Sequence, residues 1–93
     1  MGMLDKLKDL NEMRKQAKQM ELTLAQETVI GSSGGGKIKI TTDGNQNIKS
    51  VEVDASIAGD KSEIARHIRA AMEDLFKHHK KMLQTKFGAM MQG

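Results

Sequence analysis

Ninety-three residues make one domain at most, and a domain this small buries only about 60–65% of the surface its unfolded chain exposes. The absence of cysteine excludes disulfides, thiolate metal sites and cysteine nucleophiles together. With only Phe76 and Phe87 aromatic, the core has to be aliphatic and methionine-rich. The net charge of +3 is uneven: residues 1–28 balance to zero, residues 29–60 carry −1 and residues 61–93 carry +4, with no acid after Asp74.

Apolar residues recur at Met3, Leu7, Leu10, Met13, Ala17, Met20 and Leu24, always three or four apart. That is the period of an amphipathic helix, and the spacing predicts one filling most of residues 1–28, more than 30 Å long at about 1.5 Å per residue. A stripe of that length needs a sheet or a partner helix to cover it. The period then drops to two. Thr28-Val29-Ile30 is a short β-favouring run ended by Gly31, and Lys37 to Thr42 alternates with Ile38, Ile40 and Thr42 on one face. A third strand runs from Ile48 to Asp54 with Val51 and Val53 inward. Ile48 is out of phase with them, which calls for a bulge near Lys49-Ser50. Asp43-Gly44-Asn45-Gln46-Asn47 supplies the hairpin between the last two strands.

Asp60-Lys61-Ser62-Glu63 has the spacing of a capping box and opens a second helix over 60–87, with apolar positions at Ile64, Ile68, Ala71, Met72, Leu75, Met82 and Leu83. Gly88 is the expected stop, with a tail over 88–93. The result is a single α+β domain over residues 1–93, an α-β-β-β-α chain whose three-stranded antiparallel sheet (29–54) is flanked by two long helices. So small a core wants outside support, and a homodimer is the commonest closed assembly.

Gly31-Ser32-Ser33-Gly34-Gly35-Gly36-Lys37 fits a phosphate-cradling loop except where it matters. Ile38 replaces the Mg²⁺-binding hydroxyl, and the segment leads into a strand rather than a helix. It reads as a flexible inter-strand loop whose glycines serve positive φ. His67, His78 and His79 lack the i,i+3 or i,i+4 spacing of helical metal ligands, and His79 projects near the apolar stripe as a packed or interface histidine. No nucleophile elbow or paired carboxylates in an apolar setting stand out, so no enzyme activity, cofactor, metal or small-molecule substrate is expected. No apolar run approaches the roughly 20 residues of a membrane span, and no membrane association is expected.

The basic residues remain. On the second helix Arg66, Arg69, Lys77, Lys80 and Lys81 project away from the apolar stripe; Arg66 and Lys77, like Arg69 and Lys80, align about 16 Å apart, with Glu73 between. On the first helix Lys8, Arg14, Lys15 and Lys18 share one flank while Asp5, Asp9 and Glu12 take the other. These nine residues are the candidate contacts to double-stranded DNA, set against the plainer reading of an ordinary solvated face. The scarcity of aromatics disfavours stacking on single strands and points to phosphate contact with weak sequence preference. The competing function is a dimeric adaptor or chaperone that captures partners on methionine-rich apolar helix faces.

Gly31 to Ile40, then Asp43-Gly44, then Val51-Glu52-Val53-Asp54-Ala55-Ser56-Ile57 resemble the YbaB/EbfC family of bacterial nucleoid-associated proteins. The Met/Gln-rich first helix (Met13 to Met20) and Ala70-Ala71 in the second agree with that pattern, so the resemblance spans the whole chain. It departs at Ala55, where the family often has proline, and in its basic C-terminal part. The resemblance implies an intertwined, tweezer-like homodimer and DNA binding in the cytoplasm, on the nucleoid.

Overall fold

The computed structural model describes residues 2–91, with side chains described up to residue 88. Two helices bracket a three-stranded antiparallel sheet: α1 (Met3–Ala25), β1 (Thr28–Ser32), β2 (Ile38–Asp43), β3 (Ile48–Val53) and α2 (Lys61–Met91), with the strands in the order β1-β2-β3.

Alternation in the sequence becomes sidedness in the sheet. Ile38, Ile40 and Thr42 are buried, and their cross-strand partners share their face: Gly31 and Val29 on β1, and Val53, Val51 and Ile48 on β3. The expected bulge is present, since Thr41 pairs with Ser50 and Thr42 with Ile48, leaving Lys49 as the extra residue. It restores Ile48 to the apolar face. Opposite lies a polar face where Lys39 meets Glu52 at 3.9 Å and Lys37 meets Asp54 at 3.5 Å.

α2 covers β1 and β2 but not β3. The core is therefore small: Val29, Ile38, Ile40, Ile57, Ala71 and Leu75, with Ile64, Met72 and Met82 packed around it. Val51 and Val53 do turn to the inner side, yet every residue of β3 is exposed because no element among the described residues covers it. The first strand does not stop at Gly31 as the sequence led us to expect. It continues to Ser32, and Gly31 is where α2 comes closest: a Cβ there would stand 2.3 Å from the Ala71 carbonyl oxygen. The Gly-rich segment is a turn between strands, with Gly35 at φ 69° and Gly36 at φ 73°.

α2 opens as half of a capping box. The Asp60 carboxylate accepts from the Glu63 amide at 3.1 Å, whereas the Glu63 side chain turns to Arg66 and His67 and the Asp60 amide donates to Ile57 instead. The expected stop at Gly88 is overturned: the helix runs through it to Met91, so most of the expected tail is helical, and residues 92–93 lie outside the described part. One glycine costs only about 1 kcal/mol in a helix, too little to end a long one without a competing partner. α1 buries no residue at all. It stands off the body, and the chain measures 65 × 24 × 19 Å.

Candidate nucleic-acid interface

Each helix is fixed to the sheet by polar contacts that set which side faces out. β1 is an edge strand, and α2 seals its outer edge: the Ser32 amide donates to Asp74 at 2.9 Å, and His78 Nδ1 lies 2.6 Å from the Ile30 carbonyl oxygen. At the hairpin, the half-buried His79 reaches the Gly44 carbonyl oxygen with Nε2 at 3.0 Å. The histidine expected to be packed is packed. With these groups and the apolar side of α2 turned to the sheet, the opposite side of the helix is left to solvent.

Gly44 also holds α1. Its amide donates to the Leu24 carbonyl oxygen at 2.9 Å, and Asn45 Nδ2 donates to the Glu21 carbonyl oxygen at 2.9 Å. A Cβ on Gly44 would come within 2.5 Å of the Leu24 oxygen. The hairpin itself is organised by Asp43, whose carboxylate accepts from the Asn45 amide, the Asn47 amide and the Asn47 side chain at 2.8–3.0 Å. These bonds, the Asn47 side chain foremost, hold the Asp43 carboxyl below the usual aspartate range. Beyond the hairpin, Lys86 of α2 pairs with Glu27 at the root of α1, and a cleft of about 390 Å³ between the helices is lined by Gln16, Gln19, Met20, Thr23, Lys86 and Phe87.

All nine candidate residues are exposed. The sides of α1 that meet α2 carry Gln16, Gln19, Met20 and Thr23, so Lys8, Arg14, Lys15 and Lys18 stay on open faces. The nine are not equivalent. Arg66 is engaged by Glu63 at 2.7 Å, Arg69 by Glu73 at 3.3 Å and Lys15 by Glu12 at 3.9 Å. Among the described residues, Lys8, Arg14, Lys18, Lys77, Lys80 and Lys81 make no ion pair. Arg66 also draws the Glu63 carboxyl down from its ordinary value, by hydrogen bond first and charge second. The clamp made by Asp74 and His78 was invisible in the sequence. Their i,i+4 spacing was the only sign; it fits the 3.5 Å approach of His78 Nε2 to Asp74 but carried no hint of the backbone partners on β1.

The comparisons with known proteins agree with this architecture. The crystal structure of an uncharacterised protein from Helicobacter pylori is similar in fold, with a TM-score of 0.78 at 22% identity over 100% of this chain and 99% of that one. A nucleoid-associated protein of Hahella chejuensis (strain KCTC 2396) is 35% identical over 93 residues, which is 99% of this chain and 86% of that protein. The model of the YbaB/EbfC DNA-binding family matches residues 1–93, and the chain belongs to that family.

Proposed function

We propose that the protein is a nucleoid-associated homodimer that binds double-stranded DNA through phosphate contacts, with low or modest sequence preference. The observation that carries the reading is the set of six basic side chains that make no ion pair among the described residues, three on α1 and three on α2, with α2 fixed to β1 by Asp74 and His78 and α1 fixed to the hairpin by Gly44 and Asn45. Membership of a DNA-binding family supports it. Phosphate contacts fix position without reading sequence, and two aromatic residues, Phe76 and Phe87 on α2, are too few for the row of stacking platforms that single-strand binding uses. Two copies double the cationic surface offered to one polyanion. The reading assigns the chain no catalytic role and places it in the cytoplasm on the nucleoid.

Neutralising about six phosphates gives a log–log salt slope near −5. A salt-titrated gel shift on duplex DNA is the direct test, and absence of a retarded complex at low salt ends the reading. The adaptor alternative has one observation in its favour. Met3, Leu4, Leu7, Leu10 and Met13 of α1 are bare. Apolar capture persists at high salt, where phosphate contact fails, so the same titration separates the two.

A further inference from the structure

α1 buries no residue, so apolar packing contributes little to its direction. That direction is set at its root, by the hairpin between β2 and β3. The Gly44 carbonyl and the Asn45 amide belong to one rigid peptide. The amide donates to Asp43 at 2.8 Å, and the carbonyl oxygen lies 3.0 Å from His79 Nε2. A carbonyl only accepts, so Nε2 is the nitrogen that carries the proton. From the same two residues a pair of bonds goes on to α1, each 2.9 Å long. Asn45 Nδ2 donates to the Glu21 carbonyl oxygen, and the Gly44 amide donates to that of Leu24, a last-turn carbonyl with no i+4 partner in its own helix. The Lys86–Glu27 pair reaches the linker after α1 rather than the helix itself. His79 stands within the stretch of α2 that turns Lys77, Lys80 and Lys81 outward. A line of hydrogen bonds therefore runs from the cationic part of α2, through one loop peptide, to the base of α1.

We propose that His79 is a positioning residue of the DNA interface: by holding the Gly44–Asn45 peptide it sets the angle between α1 and α2, and with it the spacing of their cationic side chains. The proposal rests on the DNA-binding reading above and says what keeps its two groups of cations in register. Leverage makes the angle matter. Lys8 lies sixteen residues from Leu24, about 24 Å along the helix axis. An error of about 10° at the root displaces it by about 4 Å, more than the roughly 3.4 Å of axis between successive phosphates of one strand. An arm already aimed spares the complex the cost of ordering it on binding. α2 keeps its own seat through the core and through Asp74 and His78 on β1, so loss of the His79 bond frees α1 and leaves α2 in place.

The experiment compares the wild type with His79→Phe, which keeps a ring without a donor, and His79→Gln, whose amide nitrogen can stand in for Nε2. Circular dichroism checks helix content, and His79→Leu carries the same comparison should His79→Phe fail to fold. Because the protein has no cysteine, nitroxides on Asn11→Cys and Glu73→Cys report the distance between α1 and α2. Dilution with unlabelled chain restricts the reading to distances within one chain. The wild type and His79→Gln are expected to give one narrow distribution, and His79→Phe one at least twice as wide. If the aimed arm is then populated about one time in ten, duplex affinity falls about tenfold. The salt slope stays the same, since no cation is lost. A distribution as narrow as the wild type's in His79→Phe overturns the proposal, as does a wide one with unchanged affinity. Failure of His79→Gln to restore the narrow distribution assigns the effect to ring packing and overturns the hydrogen bond. A smaller salt slope makes His79 a phosphate contact instead. A wild-type chain that shifts no duplex at low salt sinks the DNA-binding reading itself, while the distances still decide whether His79 aims α1.

Discussion

At Gly31 a methyl group would stand 2.3 Å from the Ala71 carbonyl oxygen and 2.5 Å from Leu75 Cβ, both parts of a helix already seated on the core. Neither can yield without lifting α2 from β1, so Gly31→Ala costs about 2–3 kcal/mol, the upper range for overpacking a filled site. Urea unfolding measures it, and a loss under about 0.5 kcal/mol contradicts the close approach. Gly44 faces the same crowding against Leu24, but α1 buries no side chain and is free to move. Gly44→Ala is expected to weaken DNA binding more than stability, since it turns the arm without disturbing the core. Acid stability belongs to this scale as well. The Asp43 carboxyl is held low chiefly by the Asn47 side chain, and Asp54 chiefly by the Ser56 hydroxyl, with Lys37 nearby. A folded-state value below the unfolded one, about 3.9, gives stability that is complete above that pH and lost as pH falls through the native values. Asp43→Asn should flatten the acid limb of a stability–pH curve and leave the neutral region sloping no more than before.

Among the elements, β2 was the most legible. Its alternation named Ile38, Ile40 and Thr42 as buried, and the phase error at Ile48 announced a bulge that the register places at Lys49. The Asp60 cap was equally plain. What sequence could not supply was contact across distance. Gly31 looked like a strand end because glycine breaks strands locally, whereas its reason is α2, forty residues later. Gly88 looked like a stop for the same reason, and nothing nearby competes with helix there. The basic faces were legible as charge, but which of them are already spoken for depended on the side-chain pairs. That difference is measurable. Removing Lys77, Lys80 and Lys81 together is expected to reduce the salt slope by about 0.9 for each phosphate left unneutralised. Removing Arg66 and Arg69 should change it less, since Glu63 and Glu73 already hold them. Equal effects from the two sets would mean that exposed pairs, each worth about 0–1 kcal/mol, give way to phosphate without resistance.

For the molecule as a whole, the decisive quantity is how much apolar surface the protomer fails to cover. Among the described residues six form the buried core, while α1 and β3 bury no hydrophobic side chain. A chain so composed draws much of its stability from whatever covers those surfaces, and stability that comes from a second copy depends on concentration by mass action. A tenfold dilution then lowers the free energy of a dimer by about 1.4 kcal/mol. In the proposed dimer two chains would unfold together as a unit of the size for which each kcal/mol moves Tm by about 2–4 °C. Tm is thus expected to fall by roughly 3–6 °C for each tenfold dilution in the micromolar range. Val51→Glu should remove the dependence and leave a lower, flat Tm, because the protomer then unfolds alone. A wild-type Tm that does not move with concentration would mean that the small core suffices and that the bare faces of α1 and β3 serve some other partner.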